Sequence, residues 1–166
     1  MDGSSKSSSE TETVRRIIQS LDQLDPERAK FIAAFAYLLS RAARADLHIS
    51  PEETHVMERI VMERGRLPEN QSVIVIQLAK TQNILFGGTE NYLVSREFNS
   101  IASHEEKMGL LDCLYAVASA DHSISTVEDN EISQVADELR VEHRDLISIR
   151  SKYRDKLAVL KNSRAL

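Results

Sequence analysis

Apolar residues recur every three to four positions along most of this chain, and proline, glycine or serine interrupts the pattern at intervals. Spacing of this kind is typical of amphipathic helices. The run from Val73 to Ile76 could form a strand by propensity, but no second strand is visible to pair with it, so we interpret it as helix. The predicted helices cover residues 14–24, 26–45, 51–64, 68–82, 89–102, 104–120, 126–139 and 142–162. The pattern predicts an all-α fold, a compact bundle of seven to eight helices.

The domain boundaries follow from the polar ends of this pattern. Residues 1–12 are serine-rich and carry almost no apolar side chain, which predicts a disordered tail. Residues 13–166 are then a single helical domain, a size that can bury one core. Gly65 follows the third predicted helix and is expected to end it as a C′ glycine.

Two segments of the chain resemble each other at an offset of 121 − 46 = 75 residues. In each segment an apolar helix ends in Ala-Asp, four residues pass, and serine begins a new helix. The offset is too long for a solenoid repeat and natural for a duplicated helix–loop–helix unit. The matched residues are Ala45 and Ala120, Asp46 and Asp121, Ile49 and Ile124, Ser50 and Ser125, and Glu53 and Glu128.

Each repeat carries the signature of a capping box at the start of its second helix. Ser50 and Ser125 occupy the N-cap, and Glu53 and Glu128 stand three residues later. The serine hydroxyl and the glutamate carboxylate can each accept a hydrogen bond from a backbone N–H that the helix leaves free. Capping therefore explains both glutamates without any ligand.

The duplicated motif resembles the TerB-like family of tellurite-resistance and stress-associated domains, whose repeat is roughly A-D-G-x-I-S-x-x-E. The resemblance covers about residues 26–140. It implies an all-α fold with the two repeats packed face to face. The family glycine after each aspartate is replaced here by Leu47 and His122. Leucine tolerates positive φ poorly, so the first loop must follow a different backbone path.

The resemblance also implies a divalent-cation site built from the repeat carboxylates Asp46, Glu53, Asp121 and Glu128. If the two loops meet, four carboxylates converge, and their repulsion requires a counter-charge. Oxygen ligands favour Ca²⁺ or Mg²⁺, with Mn²⁺ as a third choice. In the alternative interpretation the aspartates cap loop amides, the glutamates belong to capping boxes, and no metal is bound.

Composition narrows the classes of partner and compartment. The net charge of −5 argues against nucleic-acid binding, which needs a basic face. The single cysteine, Cys113, excludes an intrachain disulfide and lies in an apolar run, so we expect it in the core. No secretory signal and no membrane-spanning run is visible, and we predict a cytoplasmic protein.

Three further interpretations concern the remaining charged and histidine residues. The acidic cluster from Glu128 to Glu131 is expected to be a solvated helix start, and His55, His104 and His143 are expected at the surface. The basic final helix carries an apolar stripe that we expect to pack on the domain, with peripheral membrane or partner contact as the alternative.

The sequence thus predicts a non-enzymatic TerB-like domain that acts through an unknown protein partner and can bind a divalent cation at its repeat carboxylates. The alternative is a metal-free interaction or scaffold module of the same fold. A homodimer is compatible with both. No phosphate-binding loop or catalytic motif is present.

Overall fold

The computed structural model describes residues 12, 15–42, 51–81, 88–121 and 123–158, except the side chains of residues 42, 51–53, 81, 88–92 and 121. Over these residues the chain is helical, as predicted, and it forms no β-sheet. The helices are α1 (residues 15–22), α2 (Pro26–Ala42), α3 (Pro51–Arg64), α4 (Glu69–Thr81), α5 (Gly88–Ile101), α6 (His104–Ala118), α7 (Thr126–Glu138) and α8 (His143–Ser151). Two short 3-10 helices cover Ser119–Asp121 and Arg154–Lys156. Nearly all of the predicted tail over residues 1–12 lies outside the described residues.

The internal repeat is larger than the duplicated helix–loop–helix read from the sequence. α7 begins 126 − 51 = 75 residues after α3, at the same offset as the sequence repeat. The helices on either side correspond as well, so α1–α4 and α5–α8 form two related four-helix units. α3 packs on α6, and α7 packs on α2, so the second helix of each helix–loop–helix contacts the first helix of the other. The two units therefore interlock into one bundle.

The core lies around α2 and α6, which pack on each other and on helices of both units. Phe31 and Phe35 of α2 contact Phe98 of α5, with ring centroids 5.3 and 6.4 Å from Phe98. Cys113 and Tyr115 of α6 are fully buried. Phe31, Ile32 and Phe35 of α2 are buried, and the predicted core position of Cys113 is confirmed.

The end of α3 departs from the prediction for Gly65. No glycine among the described residues has a positive φ, and the left-handed residue is Arg66, with φ 57°. Gly65 is required for space instead, because a Cβ there would lie 2.5 Å from the carbonyl oxygen of Val61 and 3.0 Å from the ring of Phe35. Gly109 of α6 packs beside the same turn, and a Cβ on it would lie 3.4 Å from the carbonyl oxygen of Arg64.

The predicted final helix over residues 142–162 is wrong beyond Ser151. The chain turns at Tyr153, and Leu157 then lies parallel to Ile124. The Ile124 N–H donates to the Lys156 carbonyl at 2.7 Å, and the Ala158 N–H donates to the Ile124 carbonyl at 3.0 Å. The turn buries Leu157 beside the second repeat junction, which a straight helix could not do.

The apolar stripe of this segment packs on the domain, as expected. Leu146, Ile149 and Leu157 are buried, and Tyr153 packs against the core at its edge. No helix in the described part of the chain is long and apolar enough to cross a membrane.

Candidate functional site

The second repeat junction forms the capping box that the sequence predicts. The Glu128 N–H donates to Ser125 Oγ at 3.1 Å, and the Ser125 N–H donates to Glu128 Oε1 at 3.0 Å. Ser125 has the extended backbone of an N-cap, with φ −66° and ψ 158°. Ile124, just before it, is fully buried. The junction is therefore held on one side by the capping box and on the other by the strand-like pairing with Leu157.

Only one carboxylate oxygen of Glu128 takes part in this box. Among the described residues no hydrogen bond is made to Oε2, which leaves that oxygen able to accept one more donor or to bind a cation. A carboxylate can do both, because each of its oxygens offers two lone pairs. Capping and cation binding are thus compatible at Glu128.

The side chains of the other three predicted ligands fall outside what the structure describes. Asp46 and Ser50 lie in the undescribed segment 43–50, although α3 begins at Pro51, directly after the predicted cap. Asp121 ends the 3-10 helix Ser119–Asp121, and Glu53 lies in the first turn of α3, but neither side chain is described. Convergence of Asp46, Glu53, Asp121 and Glu128 on one ion stays a prediction. The side chains that are described contain no cluster of three or more His, Cys, Asp or Glu residues suited to a metal.

A second capping box, which the sequence reading missed, begins α6. The Glu106 N–H donates to Ser103 Oγ at 3.1 Å, and the Ser103 N–H donates to Glu106 Oε1 at 2.9 Å. The signal was present in the sequence, since Ser103 is followed three residues later by Glu106. This box stands outside the repeat junctions, so Ser-x-x-Glu in this chain forms a cap without belonging to a carboxylate loop.

The prediction of a solvated acidic cluster at the start of α7 is wrong for Asp129 and Glu131. Asp129 is buried and accepts hydrogen bonds from Arg150 Nε at 3.0 Å and Nη2 at 2.9 Å, and from the Tyr115 hydroxyl at 3.2 Å. Glu131 accepts from Arg41 Nε at 2.9 Å. Both carboxylates turn inward because the cations that neutralise them come from other helices, α8 and α2.

The same position is anchored in both repeats. Thr54, which corresponds to Asp129 at the 75-residue offset (129 − 54 = 75), is buried in α3 and accepts a hydrogen bond from Lys80 Nζ of α4 at 2.6 Å. In each unit the last helix therefore supplies a cationic side chain to the fourth residue of the junction helix. This contact fixes the helix that follows each carboxylate loop.

Arg41 joins the two units through a buried ion-pair network. Its guanidinium donates to Glu131, to both carboxylate oxygens of Glu138, at 3.2 and 2.8 Å, and to Ser95 Oγ at 3.2 Å. Burial alone would lower the pKa of Arg41, but the hydrogen bonds and charges of Glu138 and Glu131 outweigh it and raise that pKa. Arg41 is thus a charged tie between α2, α5 and α7.

Burial also raises the pKa of the cysteine and tyrosine side chains near the second junction. It raises the pKa of the Cys113 thiol well above its usual range, so the thiolate nucleophile is not available there. It raises the pKa of the Tyr115 hydroxyl, with help from the neighbouring Asp129, and the pKa of Tyr153, which donates to Asp112. Stacked 5.5 Å apart, the two tyrosines are structural donors.

The three histidines singled out from the sequence lie at the surface, as expected. His55 approaches Glu58 at 3.4 Å, His104 approaches Asp145 at 3.8 Å, and His143 is exposed. None of the three histidines belongs to a metal-binding cluster among the described side chains.

The fold and the sequence define a class, an all-helical domain of two related units whose sequences each carry Ala-Asp followed by Ile-Ser-x-x-Glu. The family model described as "Tellurite resistance protein TerB" matches residues 32–151, most of the chain. The chain therefore belongs to the TerB family. No curated protein and no solved structure matches it significantly.

Proposed function

We propose that this TerB-family protein is a non-enzymatic cytoplasmic domain of the stress and tellurite-resistance type, which acts through a protein partner and binds a divalent cation at its two repeat junctions. Asp46, Glu53, Asp121 and Glu128 are the proposed ligands. The observation that carries the cation site is the second junction, where the capping box uses Oε1 of Glu128 and leaves Oε2 without a hydrogen bond among the described residues.

The interlocked packing of the two units supports this proposal. Because α3 packs on α6 and α7 packs on α2, each junction helix is held against the helix that leads into the other loop. Two carboxylates from each loop, brought together, would repel each other and need a cation. Ligation by oxygen alone suits Ca²⁺ or Mg²⁺, and Mn²⁺ where the geometry is octahedral.

The second candidate is a metal-free interaction module, and a specific observation favours it. The capping box Ser103–Glu106 has the same two hydrogen bonds as Ser125–Glu128, at a helix start that is not a repeat junction. The Ser-x-x-Glu pattern therefore needs no ligand to be stable. In this candidate the protein contacts alone are the function.

The two candidates differ in how the folded state responds to cations. Thermal unfolding of the wild type in Ca²⁺, Mg²⁺, Mn²⁺ and chelator, at matched ionic strength, is the measurement. Binding to the folded state alone should stabilise it by about 2.7 kcal/mol at a hundredfold excess over Kd. The variant Asp46→Asn/Asp121→Asn should lose this response, and it should be at least as stable as the wild type in chelator, because repulsion is relieved.

A matched control removes two carboxylates elsewhere. Asp22 and Asp137 are exposed, on α1 and α7, and the variant Asp22→Asn/Asp137→Asn changes the net charge by the same amount, from −5 to −5 + 2 = −3. It should keep the full cation response. A wild-type melting curve that ignores all three cations and chelator would leave the metal-free module in place of the cation site.

A further inference from the structure

A cleft of about 250 Å³ lies between the end of α3, the first half of α6 and the end of α8. Cationic side chains reach it from two of these elements, since Arg64 ends α3, Arg66 lies just beyond that end, and Lys152 follows α8. The charged residues that line it are Arg64, Arg66, His104, Glu105, Asp112 and Lys152. Three permanent cations therefore face two carboxylates, in a chain whose net charge is −5.

The cations at this cleft keep their hydrogen-bond donors. Arg64 Nη1 and Lys152 Nζ approach Asp112 Oδ2 only to 3.8 and 3.9 Å, which is beyond hydrogen-bond distance. Asp112 instead accepts a hydrogen bond from the Tyr153 hydroxyl at 2.5 Å. Within the described residues no hydrogen bond from Arg64, Arg66 or Lys152 to another side chain is formed. Asp112 thus holds two of the cations near the cleft without using their donors.

Helix electrostatics do not account for the whole group. A basic residue in the last turn of α3 balances the helix dipole, and Arg64 alone is enough for that. Arg66 lies beyond the helix end, and Lys152 belongs to a different helix. The charge of Asp112 attracts Arg64 and Lys152 but leaves their donors unused, and Arg66 forms no ion pair among the described residues.

We propose that this cleft binds a small phosphate-type oxyanion, with Arg64, Arg66 and Lys152 as its donors. The guanidinium forks match the oxygens of a phosphoryl group, and a lysine adds a third charge-assisted donor. A volume of about 250 Å³ lies below the usual range of pockets for drug-sized ligands, so it fits a phosphoryl group with a small substituent. The site shares no residue with the repeat carboxylates and does not depend on the cation proposal.

The test is calorimetric titration of the full chain with inorganic phosphate, against sodium chloride at equal ionic strength. The wild type should release heat that saturates with phosphate only, and the amide signal of Gly109 in the cleft wall should shift in a parallel NMR titration. The variant Arg64→Gln/Arg66→Asn should bind at least about tenfold more weakly, since charge-assisted hydrogen bonds are lost. Asparagine tolerates the left-handed backbone at position 66, so the fold is preserved.

The chain offers a closely matched control. Arg140 follows α7 as Arg66 follows α3, it has the same φ of 57°, and it is exposed outside the cleft. The variant Arg140→Asn/Arg144→Gln removes the same charge and should bind phosphate as the wild type does. Lys152→Gln, a single change at the opposite wall, should weaken binding independently of the α3 turn.

Each outcome decides the proposal. No saturable phosphate response in the wild type, or equal weakening in the cleft variant and the Arg140→Asn/Arg144→Gln control, overturns it. A titration with phenyl phosphate then separates the sources of the anion. Tighter binding of the monoester points to a small phosphorylated molecule, tighter binding of inorganic phosphate points to the free ion, and both results support the site.

Discussion

Replacing Arg41 by methionine tests whether the buried ion-pair network ties the two units together. The Arg41 side chain is 5% exposed, and its partners Glu138 and Glu131 are 16% and 21% exposed. The substitution removes the cation and keeps most of the apolar stem. Two carboxylates on α7 would then lose their counter-charge in a poorly solvated place.

The cost follows from which groups are left unpaired. Removing one partner of a buried ion pair typically costs about 3–5 kcal/mol. Glu138 retains the hydrogen bond from Ser95 Oγ at 2.9 Å, and both glutamates keep some contact with solvent. We therefore expect the lower end, a loss of about 3 kcal/mol in the free energy of unfolding.

Urea denaturation followed by far-ultraviolet circular dichroism measures this loss. Arg144→Met is the matched control, because Arg144 forms an ion pair with Glu142 at the surface and such pairs contribute about 0–1 kcal/mol. The variant Arg41→Met/Glu138→Gln should recover part of the stability, since it removes one of the stranded charges. If Arg41→Met unfolds at the same urea concentration as Arg144→Met, the network does not stabilise the fold and the reasoning fails.

Four more changes test a helix cap, two glycines and a buried hydroxyl. Ser125→Ala should lower the free energy of unfolding by about 1 kcal/mol, measured by urea denaturation, because the N-cap acceptor of α7 is lost. Gly65→Ala should destabilise by about 1–3 kcal/mol, because its Cβ would lie 2.5 Å from a carbonyl oxygen. Gly109→Ala, with 3.4 Å available in mid-helix, should be neutral or stabilising by up to about 1 kcal/mol in the same assay. Folding raises the pKa of Tyr115 and Tyr153 above 10.0. Their contribution to the free energy of unfolding is therefore complete below pH 10.0 and falls as the pH rises above it. Tyr115→Phe should flatten the alkaline loss of stability seen in pH-dependent melts.

Helix positions were readable because local sequence decides them. Pro26 and Pro51 begin helices in the structure as they do in the pattern. The Val73–Ile76 run forms helix because its neighbours continue the helical spacing, with Ile74, Val75 and Ile76 buried and Val73 partly exposed.

The errors share one cause, which is long-range contact. The sequence around Asp129 reads as a solvated helix start, and only the arrival of Arg150 from α8 makes it a buried ion pair. The straight final helix was wrong because Leu157 pairs with Ile124, a residue 157 − 124 = 33 positions away. Periodicity carries no information about such partners.

Gly65 shows the same limit at a single residue. The sequence predicts that Gly65 ends the helix, and a glycine after a helix usually adopts the left-handed conformation. Here Phe35 of α2 and the carbonyl of Val61 leave no room for a side chain, so the glycine stays at the helix end and Arg66 takes the left-handed position. The reason for the glycine is the approach of another helix, which the local sequence does not contain.

The two units differ in the side chains that anchor their junction helices. Both junction helices are anchored at their fourth residue, but Thr54 meets Lys80 whereas Asp129 meets Arg150. The Asp129–Arg150 pair has no net charge. Lys80 instead brings a positive charge to the first turn of α3, and it has no ion-pair partner among the described side chains. The two junction helices therefore begin with different local charge, although the same position of each is tied to the last helix of its own unit.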